Sequence, residues 1–298
     1  MSTAPPPGPV LPSSSSRPPG RLQHSHALIV GGTTGIGLAT ARRFLDEGAK
    51  VVIAGRDPES GHSALAKLNC PDRLWYIQAD VAEPETVERL FEQAREQLNG
   101  RLDILFHVAG ISGRRFGDGA LHECSDEGWD TVLDTNARGT FLTNRAAVRQ
   151  MMKQPLDNLG LRGTVLNMGS VLGSSPAPRF FGTLAYAASK GAIQSMTLAA
   201  AARYAPDRIR FNLIAPGLIA TPMAVRAAGD LEILAYLGSK QPMAGGPGTA
   251  DDCAEAALFL CEPAGRFVTG TVLTVDGGWC VSEGQYPRHE RTGHAPHA

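Results

Sequence analysis

Ala27-Leu28-Ile29-Val30-Gly31-Gly32-Thr33-Thr34-Gly35-Ile36-Gly37 is the stretch on which the fold turns. Four apolar residues run into a glycine-rich turn. A helical pattern leaves the turn, with Ile36, Ala39, Phe44 and Leu45 able to share one buried face. A second apolar run covers 50–54. Strand, glycine turn, helix and strand in this order make the first half of a parallel α/β unit. Glycine admits positive φ and lets the backbone approach a ligand closely. The helix behind the turn offers unbonded N–H groups and the positive end of its dipole, which suit a pyrophosphate. The spacing is G-x-x-x-G-x-G rather than the G-x-G-x-x-G of the long-chain dinucleotide-binding enzymes.

The same alternation continues downstream. Strand-like apolar runs recur at 74–78, 103–108, 163–167, 209–214 and 272–275. Helical segments separate them. One carries Val87, Leu90, Phe91, Ala94 and Leu98 at spacings of three and four; others cover 126–153, 185–204 and 250–261. Seven strands alternating with helices imply an α/β fold: a doubly wound, parallel seven-stranded sheet with helices on both faces, in a single Rossmann-like domain. The expected boundaries are a Pro/Ser-rich tail over 1–26, the domain over 27–281 and a polar tail over 282–298. Pro5, Pro6, Pro7, Pro9, Pro12, Pro18 and Pro19 deny the first segment an amphipathic helix.

Composition excludes several classes. Apolar residues make up 43% and charged residues 19%, ordinary for an enzyme with a sizeable core. A net charge of −1 gives no electrostatic attraction for nucleic acid or anionic membrane. No apolar run is long enough to span a bilayer. Cys70, Cys124, Cys253, Cys261 and Cys280 are odd in number, widely spaced and without C-x-x-C, so neither a disulfide framework nor a zinc site is expected. His289, His294 and His297 near the C-terminus read as solvated tail rather than metal ligands. The expected setting is a reducing, cytoplasmic one.

Two further stretches bear on a dinucleotide. The second strand ends Ala54-Gly55-Arg56-Asp57. Sheets that bind NAD commonly place an acid here to take the ribose 2′-OH. Gly55 occupies that place, and the Arg56 guanidinium can pair with a 2′-phosphate. NADP(H) is therefore favoured, with NAD(H) kept open because Asp57 can reach the ribose. Asp80-Val81, after the third strand, can meet the adenine edge, or Asp80 can cap a helix.

The chemistry centres on Tyr186-Ala187-Ala188-Ser189-Lys190. Tyr and Lys at i and i+4 share a helix face. A phenol is a poor base at neutral pH, and an adjacent ammonium favours the phenolate. Such a phenol can protonate a developing alkoxide or accept a proton in reverse. Ser170, just past a strand, can hold the substrate oxygen beside it. Tyr236 and Lys240 repeat the spacing, but Gly238 is expected to interrupt their helix, and that stretch reads as a mobile cover over the substrate.

The motifs Val30–Gly37, Asn136, Ser170, Tyr186-x-x-x-Lys190, Pro216-Gly217, Thr221 and Val275-Asp276-Gly277-Gly278 occur in that order. Together they resemble the single-domain branch of the short-chain dehydrogenase/reductase family, over about 27–281. The resemblance implies hydride transfer between NADP(H) or NAD(H) and a small-molecule carbonyl or secondary alcohol. It implies a tetrad: Tyr186 as acid/base, Lys190 on the nicotinamide ribose, Ser170 orienting substrate and Asn136 holding a relay water. Cofactor contacts are implied at Gly31, Thr33, Thr34, Gly35, Ile36, Gly37, Arg56, Asp80, Val81, Ala109, Gly110, Pro216, Gly217, Ile219 and Thr221, besides Tyr186 and Lys190. A homotetramer or homodimer is implied too, and no metal. The sequence departs from the family pattern at Val30, where Thr is usual, and at His107-Val108, where Asn-Asn is usual; the segment from Ser170 to Tyr186 is also longer.

The substrate pocket is expected from 111–123, 172–184 and 219–247, with Pro176, Pro178, Phe180 and Phe181 as an apolar wall. Arg114, Arg115 and Arg179 can hold an anion, or can simply be exposed loop charge. A non-catalytic cofactor sensor, or an epimerase or dehydratase on the same fold, remains the alternative.

Overall fold

The structure, a computed structural model, describes residues 20–283. Its strands are β1 His26–Val30, β2 Lys50–Gly55, β3 Leu74–Gln78, β4 Ile104–His107, β5 Gly163–Met168, β6 Ile209–Pro216 and β7 Val272–Val275. The main helices are α1 Gly35–Asp46, α2 Pro58–Leu68, α3 Pro84–Gln97, α4 Asp126–Val132, α5 Gly139–Met151, α7 Leu184–Tyr204, α9 Leu231–Lys240 and α10 Ala250–Cys261. Single-turn helices α6 (Pro178–Phe181) and α8 (Val225–Ala228) lie in the connections.

All seven strands form one parallel sheet in the order β3-β2-β1-β4-β5-β6-β7. Strand residues alternate between two cores because side chains alternate across a pleat. Leu28, Val52, Leu105, Val165 and Phe211 pack under α3 and α5 with Leu90, Phe91 and Met151. Their neighbours Ile29, Ile53, Phe106 and Leu166 pack under α1 and α10 with Phe44, Leu258 and Leu260. Burial on both faces explains why the strands read as continuous apolar runs. The sheet reverses its winding between β1 and β4, and the crevice beyond the strand ends opens there.

Three expectations are corrected. The anticipated tail over 1–26 does not extend so far: from Gly20 the chain lies on the domain. Leu22 is 1% exposed and Arg21 is paired with Glu47. Polar sequence around one buried leucine hid this. Residues 1–19 and 284–298, including the C-terminal histidines, fall outside the described residues. Gly238 does not interrupt its helix, since α9 runs through it with Ile233 and Leu237 buried to hold it. The segment read as one helix over 126–153 contains a π-helical turn, Leu133–Arg138, between α4 and α5. Among the described residues, no helix is long and apolar enough to cross a membrane, and no group of three or more His, Cys, Asp or Glu is placed to hold a metal.

Candidate active site

A cleft of about 470 Å³ occupies the crevice at the C-terminal ends of the strands. One wall is the β1–α1 turn, with Gly31, Thr33, Thr34, Gly35 and Ile36. Arg56, Val81, Ala109 and Gly110 continue it along the neighbouring strand ends. Ser170, Tyr186 and Lys190 face it from the β5–α7 side, and Pro216, Gly217, Ile219 and Thr221 close the end after β6. Most residues expected at the site therefore meet around one space. Gly37, Asp80 and Asn136 do not line it: Gly37 and Asn136 are buried behind the lining, and Asp80 stands beside Arg56.

The turn keeps its shape because two positions exclude a side chain. Gly31 has φ +86°, and a Cβ there would lie 2.6 Å from the Ala109 nitrogen. A Cβ on Gly37 would lie 2.1 Å from the Gly31 carbonyl oxygen. Gly37 thus lets α1 close against the turn. The first amides of α1 have no intrahelical acceptor, and Thr34 supplies no side-chain cap. Unbonded N–H groups, a positive dipole end and the nearby Thr33, Thr34 and Thr221 suit a dinucleotide's pyrophosphate. The residues present fit that cofactor.

At the far end of this wall, Arg56 Nη1 lies 3.6 Å from Asp80 Oδ2, with both side chains partly exposed. Asp80 Oδ1 also accepts from the Ala82 amide at 3.0 Å. Asp57 caps α2, accepting from the Ser60 amide at 3.0 Å and from the Ser60 hydroxyl. Its carboxyl is held below the usual range mainly by those bonds.

Tyr186 and Lys190 sit one turn apart near the start of α7, which is 21 residues long. The Lys190 ammonium lies 5.5 Å from the Tyr186 ring centroid and donates to the Met168 carbonyl at 3.0 Å. Burial lowers its pKa to about 8. The phenol departs from the sequence expectation: its pKa is raised, not lowered. Burial dominates, and the hydrogen bond with Ser170 only partly opposes it. Ser170 Oγ also accepts from the Leu172 amide at 3.2 Å, which fixes the hydroxyl at the mouth of the β5 turn.

Two residues that hold this corner left no mark in the sequence. Asp118 is 6% exposed, and its two carboxylate oxygens accept from the Ala185 and Tyr186 amides, each at 2.9 Å. It thereby caps α7 at Tyr186 itself. Ser189 is buried and donates to the Tyr186 carbonyl at 2.7 Å. Asn136, on the π-helical turn, clamps the chain after β4. Its Oδ1 accepts from the Ile111 amide at 2.8 Å, and its Nδ2 donates to the Ile111 carbonyl and to Ser189 Oγ, both at 3.0 Å. The π turn aims it there, a common use of that distortion.

His107, a departure from the family pattern, is 1% exposed and bonds Thr143 Oγ1 through Nδ1 at 2.8 Å. Burial, helped by the Lys190 charge, pushes its pKa down to about 3, so the ring is neutral and part of the core.

The second Tyr/Lys pair stands elsewhere. Tyr236 packs on Phe180 at 5.1 Å and on Trp279 at 5.9 Å between ring centroids. Lys240 donates to the Ser282 carbonyl at 2.7 Å. Neither lines the cleft. Of the anticipated apolar wall, Phe181 lines the cleft, whereas Pro176, Pro178 and Phe180 do not. Leu172, Met223, Ala227 and Trp279 supply that surface instead. Arg115 and Arg179 also stand away from it, and Arg179 pairs with Glu232 at 3.5 Å.

The family model described as enoyl-(acyl carrier protein) reductase matches residues 30–280. The 2,5-dichloro-2,5-cyclohexadiene-1,4-diol dehydrogenase LinX of Sphingobium indicum is 34% identical over 263 residues, covering 88% of this chain and 98% of its own. The NADP-dependent (R)-specific alcohol dehydrogenase of Lentilactobacillus kefiri is 33% identical, covering 87% of this chain and 98% of its own. A solved short-chain type dehydrogenase/reductase from Mycobacterium ulcerans superposes with a TM-score of 0.79 at 28% identity, covering 88% of this chain and 91% of that one. These relatives are named dehydrogenases or reductases, which favours oxidoreduction over the sensor and epimerase alternatives. With the sheet order, the β1–α1 turn and the Tyr186/Lys190 corner all present, this chain is an oxidoreductase of the short-chain dehydrogenase/reductase family.

Proposed function

We propose that this chain interconverts a small-molecule ketone and its secondary alcohol with NADP(H) in preference to NAD(H), using Tyr186 as general acid and base. The convergence of Tyr186, Ser170 and Lys190 on a cleft whose opposite wall is the β1–α1 turn carries the reading. NADP(H), when bound, supplies or accepts the hydride. Tyr186 holds the proton at its phenolic oxygen and delivers it to the substrate oxygen, or removes it in the oxidative direction. A raised phenol pKa keeps that proton in place at neutral pH. Ser170 donates to the same substrate oxygen and orients it. Lys190 holds the nicotinamide ribose and presents a positive charge to the phenol. Asn136 keeps Ile111 in register beside Lys190, and a relay water is assigned to this corner. Arg56, with no acid at Gly55, takes the 2′-phosphate in exchange for its exposed contact with Asp80. The proposal places the protein in the cytoplasm as a homotetramer or homodimer; exposed Trp129, Phe141 and Leu198 on α4, α5 and α7 support a subunit contact.

Tyr186→Phe tests the central role. The ring and its packing stay, the transferable proton goes, and turnover falls by roughly 10²–10⁴-fold, while NADPH binding measured by fluorescence is retained. Tyr236→Phe is the control and keeps turnover. Wild-type rates in Tyr186→Phe would remove Tyr186 from the mechanism. Arg56→Ala tests the cofactor choice, by weakening NADPH more than NADH. Gly55→Asp is a poorer probe, because a Cβ there would lie 2.9 Å from Thr33 Cγ2 and Oγ1.

A further inference from the structure

The charges of the cleft are unevenly spread. Its charged lining residues are Arg56, Asp57, Arg114, Lys190 and Arg226. Asp57 is the single carboxylate among them, stands beside Arg56 at the adenine end, and is engaged by Ser60. Away from that end the cleft presents Arg114 and Arg226, on segments expected to form the substrate pocket, with no acid lining it there. Arg114 is anchored, since its Nη2 donates to the Phe180 carbonyl at 2.9 Å. Arg226 projects from α8, just past Thr221, and has no ion-pair or hydrogen-bond partner among the described residues. The Asp118 charge acts on Arg114 and opposes the lowering of its pKa, but Asp118 does not line the cleft, and both its oxygens accept from amides of α7.

We propose that Arg114 and Arg226 form an oxyanion-binding subsite, so that the physiological substrate is a ketone or secondary alcohol carrying a carboxylate, sulfonate or phosphate at the end remote from the reacting carbon. The inference rests on the proposed function and adds the substrate class. Like charges at one mouth repel, and an anion between them removes that repulsion. Arg226 lies close enough to lower the Arg114 pKa, an effect second only to burial. Guanidinium forks match the oxygens of such anions, and planar carboxylates best of all. Leu172, Phe181, Met223 and Trp279 line the same cleft and supply apolar surface for the body of the molecule. The cofactor's own phosphates have separate partners at Arg56 and the β1–α1 turn.

Two measurements on the NADPH-loaded protein test this. The first compares kcat/KM for methyl ketones of equal length ending in a carboxylate, a sulfonate or a primary amide. A preference of about tenfold or more for either anion over the amide is expected, which corresponds to one charge-assisted bond. It should fall toward unity in Arg114→Gln and Arg226→Gln. Equal rates for all three ketones overturn the inference while leaving the oxidoreductase reading intact. So does a loss in the variants that is shared equally by the amide or by NADPH affinity, because the arginines then serve the fold or the cofactor. The second measurement needs no turnover: cyclohexanecarboxylate should raise Tm in the wild type and cyclohexanecarboxamide should not, with the difference absent in the double variant. If no ketone is turned over, this shift still decides the anion subsite, and the missing turnover counts against the proposed reaction instead. Equal shifts with both compounds overturn the subsite.

Discussion

Replacing Asp118 with Asn changes no volume and removes one charge from beneath the start of α7. In the wild type each carboxylate oxygen accepts one amide, from Ala185 and from Tyr186, at 2.9 Å. An asparagine keeps one acceptor. Its NH₂ then faces the other amide, donor against donor, and that amide is left without a partner in a site 6% exposed. An unsatisfied buried amide costs about 1–3 kcal/mol. The lost anion at a helix N-terminus adds about 0.3–2 kcal/mol. The sum, about 1–5 kcal/mol, corresponds to a fall of roughly 3–20 °C in Tm for a domain of this size. The effect on turnover is separable. The Tyr186 amide is one of the two released, so the phenol shifts relative to Ser170. A misplacement of about 1 Å can cost about 10²-fold in rate. Calorimetry should therefore show the lower Tm, and steady-state kinetics well below that Tm should show a fall in kcat with NADPH affinity little changed. Asp118→Glu, which keeps the charge, should recover part of the kcat. A Tm within about 1 °C of wild type together with an unchanged kcat would refute the reasoning, because the two bonds would then hold nothing.

Gly37→Ala should cripple NADPH binding, measured by fluorescence titration, because its Cβ would sit 2.1 Å from the Gly31 carbonyl and must push the turn off α1. Deleting 1–26 should lower Tm by about 4 °C or more, since it removes the buried Leu22 and the His26 contact to Asp103 at 2.9 Å; an unchanged melting curve would show that these contacts contribute nothing. Lys190→Met should stabilise the cofactor-free protein most at neutral pH. Burial lowers the Lys190 pKa from 10.5 to about 8, so between these values the unfolded chain binds more protons and wild-type stability rises with pH. The advantage of the methionine variant over the wild type, read from urea unfolding, should accordingly shrink from about pH 7 to about pH 10.

The sequence by itself determined the sheet and singled out the Tyr186/Lys190 pair. Each strand is a short apolar run because both faces of a parallel sheet are covered, and 74–78 and 272–275 match β3 and β7 residue for residue. The β1–α1 turn was legible because positive φ and close approach require glycine in a fixed local pattern. Tyr186 and Lys190 were legible because an i,i+4 pair shares a helix face wherever that helix lies. All of these are local properties of the backbone. The tertiary structure put the Tyr186/Lys190 pair on the cleft and the Tyr236/Lys240 pair away from it, although both pairs are helical. It alone decided that Asp118 caps a helix more than sixty residues away and that Asn136 clamps Ile111 through a π turn. It raised the Tyr186 pKa where the helix alone suggested lowering, because burial outweighed the bond from Ser170. It also put Arg114 and Arg226 on the cleft while leaving Arg115 and Arg179 away from it. These pairings join segments brought together by the order of strands in the sheet, and residues so joined share no spacing along the chain by which a linear pattern could reveal them.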